Sequence, residues 1–197
     1  MKLWLKRKLN NRKGFSLTEL LAAVLILSMV SAVVAGGIPV AKDAYEKITL
    51  SANAQVMLST SVSALRNELC KASEVKVVSG KTDTVLEYFS TSIQNYSQIS
   101  LKDIAGNDTT DADKATDVVV IQYSHNTESG KNPPQPHKLV SAKAGDDRLH
   151  VIYSSLSYDN GVVVITGLKV VELDSGGNRI GNPRAELDSL KIRIIMT

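Results

Sequence analysis

The chain has 197 residues, 43% apolar and 22% charged, which are ordinary globular values for one domain plus an N-terminal segment. Its net charge of +3 rests on six cations among the first 14 residues. From Phe15 onward, 17 Lys and Arg stand against 20 Asp and Glu, which excludes a basic nucleic-acid binder by composition, and the single cysteine excludes an intramolecular disulfide.

The first element is a basic leader, Lys2, Lys6, Arg7, Lys8, Arg12 and Lys13, with no acidic residue among them. An apolar run from Phe15 to Ile38 follows, 24 residues with one ionisable group, Glu19. As a helix it spans about 36 Å, enough for a bilayer core of about 30 Å. The first charges beyond it are mixed: Lys42, Asp43, Glu46 and Lys47. The positive-inside bias therefore places residues 1–13 in the cytoplasm and the rest outside. Glu19 is out of character in such a segment, where a carboxylate at mid-bilayer costs about 2.5–3.5 kcal/mol. Ser16-Leu17-Thr18-Glu19 also fits a capping box, with Ser16 as cap and Glu19 reaching back.

A short basic leader, Gly14, Phe15, an acidic residue four positions on and an unbroken apolar helix together resemble the N-terminus of type IV prepilins and type II secretion pseudopilins. The resemblance covers about residues 12–35. It implies a membrane peptidase that cuts after Gly14, N-methylation of Phe15 as the new terminus, and Glu19 as the carboxylate that guides assembly. It also implies other copies and related pilin-like subunits as partners, with a prepilin peptidase, an assembly ATPase and a membrane platform protein. The location implied is a single-pass cytoplasmic-membrane protein that becomes a surface filament or periplasmic pseudopilus. Family members from double-membraned bacteria often close a C-terminal loop with a disulfide; Cys70 alone cannot, which favours a Gram-positive source. Cys70 itself reads as a small buried apolar residue, with intermolecular pairing as the alternative.

The physics of Phe15 and Glu19 stands apart from the family. Cleavage creates an α-amine with a pKa of about 8, and methylation keeps its charge. In an apolar filament core that cation attracts a neighbouring subunit's Glu19 with little screening, so the pair sets axial register. Two rival readings use the N-terminus only for export or anchoring. One is a signal peptide cut after Val33-Val34-Ala35; the other is an unprocessed anchor. Either leaves a membrane-anchored or secreted surface binding module.

Gly36, Gly37 and Pro39 predict a kink or melted turn. Helical spacing resumes near Val40, with Ala54, Leu58, Val62, Leu65, Leu69 and Ala72 on one stripe built for burial and Gln55, Asn67 and Lys71 opposite. A coiled coil is the competing reading, against which the short stripe and irregular flanking charges count.

After Ser73 the residues turn β-branched and aromatic. Strands are expected at Val75–Val78 and Thr84–Phe89 around a turn at 79–83, with 90–101 ambiguous. Residues 102–116 form an acidic loop in which Asp108, Asp111 and Asp113 are calcium candidates, although the spacing matches no EF-hand. Val118–Tyr123 reads as a central strand, and Asn126–His137, with Pro133, Pro134 and Pro136, as an exposed connector or partner-facing loop. Arg148–Tyr158 and Val162–Leu173 form a hairpin about Asp159-Asn160-Gly161, with a bulge at Gly167. A Gly-rich turn at 174–178 precedes a last strand, Ser189–Thr197, whose Leu190, Ile192, Ile194 and Met196 alternate with Lys191 and Arg193.

The expected fold is α+β: a leader (1–14), a membrane or filament-core helix (15–38), an amphipathic continuation (39–73) and an antiparallel β-sheet head (74–197). This is the pilin fold the resemblance implies. No cofactor motif is present, His125, His137 and His150 lack zinc spacing, and no serine or cysteine sits in a nucleophile motif, so a non-enzymatic structural subunit is expected. A mature length of 183 residues with long loops points to a minor or specialised pilin.

Overall fold

The computed structural model describes residues 16–77, 85–91, 94–123, 135–138 and 147–195. The chain divides into two units, the second beginning at Ile48.

One helix, α1, runs from Leu17 to Leu69. Residues 36–39 stay helical, so the melted turn offered as one expectation does not form. A single proline removes one N–H bond, and complete turns on both sides supply the rest.

In the second unit α1 buries Leu50, Ala54, Met57, Ser61, Leu65 and Leu69. The expected stripe was rotated: Leu58 and Val62 are only half-buried at its margin. Met57 and Ser61 take the centre, Ser61 being tolerated because its hydroxyl donates to the Met57 carbonyl at 2.7 Å. Each fully buried leucine on this face stabilises by about 1.5–3 kcal/mol. Gln55, Asn67 and Lys71 are exposed, and Cys70 is half-buried against the core.

Two antiparallel sheets follow, where one was expected. The first holds β1 (Ala72–Val77), β2 (Leu86–Ser90), β3 (Asn95–Lys102), β5 (Asp117–Tyr123) and β6 (Gln135–Lys138) in that order, with β4 (Asp108–Thr109) pairing on β3. The ambiguous segment is therefore mostly β3, and β5 is interior, between β3 and β6. Pro136 lies within β6, opposite Ile121. That corrects the connector reading for residues 135–137; β6 is at the edge of the sheet among the described strands, the position in a sheet that tolerates proline. The turn at 79–83, loop residues 126–134, and Met196 lie outside the described residues.

The second sheet orders β10 (Ala185–Arg193), β9 (Val162–Glu172) and β7 (Leu149–Ile152), with β8 (Ser155–Asp159) also on β9. The arm expected as one strand, 148–158, is interrupted at Tyr153-Ser154. Its register is not: Ile152 faces Lys169 and Ser155 faces Thr166. Gly167 therefore marks no bulge. It has φ +62°, and Ser154 approaches where its side chain would be. The hairpin turn is as expected, with φ of 49° at Asn160 and 78° at Gly161, the signature of a type I′ turn. β10 begins earlier than expected, at Ala185, and alternates as expected, burying Leu190 and Ile192 with Ile194 just beyond.

Leu65 and Leu69 of α1, Leu86, Tyr88, Ile99 and Leu101 of the first sheet, and Ile152, Leu156, Ile165, Leu168 and Val170 of the second share one core. The Tyr88 hydroxyl donates to Glu68 of α1 at 3.0 Å. Burial, then the adjacent Glu68 charge, pushes the phenol pKa well up. The chain end is tied back by Ile194 N–H to the Gly161 carbonyl and Ile195 N–H to the Cys70 carbonyl.

Candidate functional site

The N-terminal signal starts at the described edge of α1. Gly14 and Phe15 lie outside the described residues. Ser16 is the helix cap: its carbonyl accepts from Glu19 N–H at 2.9 Å and Leu20 N–H at 3.1 Å, and its hydroxyl accepts from Thr18 N–H at 3.3 Å. Only this half of the expected box forms. The Glu19 carboxylate is exposed in the first turn and has no hydrogen-bond or ion-pair partner among the described residues. An acidic group there is favoured by the helix dipole, so its local cost is low even unpaired.

From Leu17 to Ala41 that carboxylate is the sole charge, and every residue of the stretch is exposed. Leu17 is 79% and Val33 75% accessible. This helix is long and apolar enough to cross a membrane. Ser28 and Ser31 do not spoil it, since their hydroxyls donate to the carbonyls of Leu25 and Leu27, both at 2.8 Å.

Two of the three calcium candidates, Asp111 and Asp113, have other partners. Asp108 lies in β4, Asp111 accepts from the Asp113 N–H and lies 3.6 Å from Lys114, and Asp113 turns away to Arg179 at 2.8 Å. Among the described residues, no group of three or more His, Cys, Asp or Glu side chains is placed to hold a metal ion.

A feature the sequence reading missed is a pair of matching turns, Asp103-Ile-Ala-Gly-Asn107 and Asp174-Ser-Gly-Gly-Asn178. In each, the Asp and Asn backbones bond at 2.9 Å, the fourth-position glycine N–H reaches the Asp carbonyl at 3.0 Å, and the Asn N–H reaches the Asp carboxylate at 2.8 Å. The repeated D-x-x-G-N spelling was the available signal. The turns end β3 and β9, one from each sheet, and flank a cleft of about 380 Å³ also lined by Lys102, Asp117, Val119 and His150. His150 Nδ1 lies 3.4 Å from Asp117 Oδ2, linking β7 to β5. The Thr116 hydroxyl at the cleft donates to the Lys102 carbonyl at 3.1 Å. Of these contacts the His150–Asp117 approach crosses from one sheet to the other, and the turn carboxylates accept from their own amides.

Comparison with known proteins bears on the N-terminus. Residues 9–35 match the family model described as the prokaryotic N-terminal methylation motif, a structural rather than a catalytic signature. No curated protein and no solved structure matches the chain. With that match over the basic residues, Gly14, Phe15, Glu19 and the apolar helix, the chain carries the motif that marks type IV prepilin- and pseudopilin-type proteins.

Proposed function

We propose that the protein is made as a precursor, cut after Gly14, N-methylated at Phe15 and assembled as a structural subunit of a type IV pilus-like or pseudopilus filament. The observation that carries this reading is the methylation motif over residues 9–35 on a helix whose residues Leu17–Ala41 are exposed and bear one carboxylate. Such a surface is stable in a bilayer or among like helices, and not in water. Glu19 supports the filament over a plain anchor, since an anchor has no use for a carboxylate that has no partner among the described residues, whereas a neighbour's Phe15 amine would neutralise it and fix the axial step.

On this reading the partners are copies of the chain, related pilin-like subunits, a prepilin peptidase, an assembly ATPase and a membrane platform protein. The precursor spans the cytoplasmic membrane with its N-terminus inside. The mature head lies outside, on a surface filament or periplasmic pseudopilus. A mature chain of 183 residues, counted from Phe15, suits a minor or specialised subunit.

The test is the intact mass and N-terminal sequence of membrane-extracted protein made with and without a prepilin peptidase. A peptidase-dependent chain beginning at methylated Phe15 is expected. Retention of Met1, or a start near Gly36, would instead leave an anchored or secreted binding module. Glu19→Ala should then be processed normally and fail to assemble; normal assembly would remove the register role.

A further inference from the structure

The first N–H groups of a helix have no carbonyl inside it, and they are satisfied either by a cap or by winding the preceding residues into another turn. α1 begins at Leu17, and Ser16 in front of it is not helical. One more turn would send the Thr18 N–H to the Gly14 carbonyl and the Glu19 N–H to the Phe15 carbonyl, each four residues earlier. Both donors are already taken. Ser16 Oγ accepts from Thr18 N–H at 3.3 Å, and the Ser16 carbonyl accepts from Glu19 N–H at 2.9 Å. The Ser16 hydroxyl is itself held by Thr18 Oγ1, 2.5 Å away. It caps without help, because the Glu19 carboxylate that would complete a capping box has no partner among the described residues.

This stop is under more pressure than an ordinary helix start. Leu17, Leu20 and Leu21 are all exposed, so the apolar surface begins with the first turn. A backbone N–H left unpaired beside hydrocarbon is costly, and without a cap that cost is relieved by winding the chain back. The carbonyl then captured by Thr18 N–H is that of Gly14, which belongs to the Gly14–Phe15 bond.

Hydrolysis of that bond adds water across it. The hydroxyl goes to the Gly14 carbonyl carbon, the C–N bond breaks, and the Phe15 nitrogen takes the proton. A peptidase has to approach this carbonyl and polarise its oxygen. A helical hydrogen bond occupies the oxygen, and the turn around it blocks the approach.

We propose, taking the cut after Gly14 from the reading above, that Ser16 is a positioning residue for cleavage. By claiming the Thr18 N–H, its hydroxyl keeps the Gly14 carbonyl out of α1 and open to the peptidase.

The test follows leader removal from the full chain in membranes by a prepilin peptidase, with initial rates read from the mass of the product at several substrate levels. Ser16→Ala should lower kcat/KM about fivefold, the typical worth of a serine cap. Ser16→Asn, which keeps a capping oxygen on a different side chain, should return to the wild-type rate. So should Ser16→Ala/Leu17→Pro, which has no capping oxygen at all. Proline at the first helical position fixes the helix start and turns the residue before it away from helical angles. Rescue by that double variant separates backbone positioning from a direct contact between peptidase and hydroxyl. An unchanged rate in Ser16→Ala overturns the proposal, as does a slowed rate that the double variant does not restore. In both cases wild type is still cut after Gly14, and the processing reading stands. A wild-type chain left uncut removes the processing reading and the role of Ser16 together.

Discussion

Ile104 packs directly on Gly177, so that a Cβ at position 177 would stand 2.5 Å from Ile104 Cδ1 and 3.2 Å from its Cβ. The contact joins the two matching turns, one at the end of each sheet. Gly177 also has φ +78°, a conformation that side chains resist.

Gly177→Ala should therefore destabilise the head by about 2 kcal/mol, part from backbone strain and part from displacement of Ile104. Urea denaturation of the single variant and of Gly177→Ala/Ile104→Ala separates the two. The second substitution relieves the clash and leaves the strain. An unchanged midpoint in the single variant would mean the turn re-forms without cost.

At Gly167 an added Cβ would meet Ser154 Oγ at 2.3 Å and Ser154 Cβ at 2.9 Å, again at positive φ. The serine oxygen can rotate away, but its Cβ cannot. Gly167→Ala is expected to cost about 2–3 kcal/mol, with partial recovery in the Ser154→Gly background, measured by thermal melting. A loss identical in both backgrounds would assign the whole effect to backbone strain.

Glu172 is a charged side chain buried in β9. Its carboxylate accepts from Arg184 Nη2 at 2.6 Å and Nε at 3.1 Å, while Arg148 Nη1 stands 3.7 Å away. Removing the first partner should cost about 2–3 kcal/mol in Arg184→Ala, the scale of hydrogen bonds to a buried charge. Arg184→Lys should recover only part of it, since an ammonium cannot reproduce the two-donor grip. Full recovery by lysine would show that charge alone matters.

Asp174 carries an acid-side prediction. The Asn178 backbone N–H, then its side-chain amide, hold the Asp174 carboxyl below its ordinary value. A lowered folded pKa stabilises the fold above the unfolded value of about 3.9, and that contribution is lost as the pH falls through the folded value. Asp174→Asn keeps an acceptor oxygen and loses the charge. Its melting temperature should lie below wild type at pH 7, with the gap closing as the pH drops below about 4. A gap that stays constant down to pH 2 would show that the charge contributes nothing.

Local rules carried most of the element list. The Asn160-Gly161 hairpin, the alternation of Leu190, Ile192 and Ile194, and the apolar run after Phe15 each depend on residues a few positions apart, and their signals lie within one window of sequence. Where the reading failed, a distant partner decided. Pro136 entered a strand because β5 offers it an edge, and the arm ending at Tyr158 broke at Ser154 because Gly167 lets the serine approach. The buried stripe of α1 turned toward Met57 and Ser61 because the sheets meet the helix at that angle.

By itself the sequence determined the methylation motif over residues 9–35, since the basic residues, Gly14, Phe15, Glu19 and the apolar helix are read in linear order by composition and position. It also determined the α+β class, because the change from helical to two-residue periodicity after Ser73 is a property of consecutive residues. Only the tertiary structure decided that the strands divide into two sheets, that the Asp113 carboxylate pairs with Arg179, and that Glu172 is buried between two arginines. Those outcomes depend on which strands meet across tens of residues, and core packing sets that where local pattern cannot.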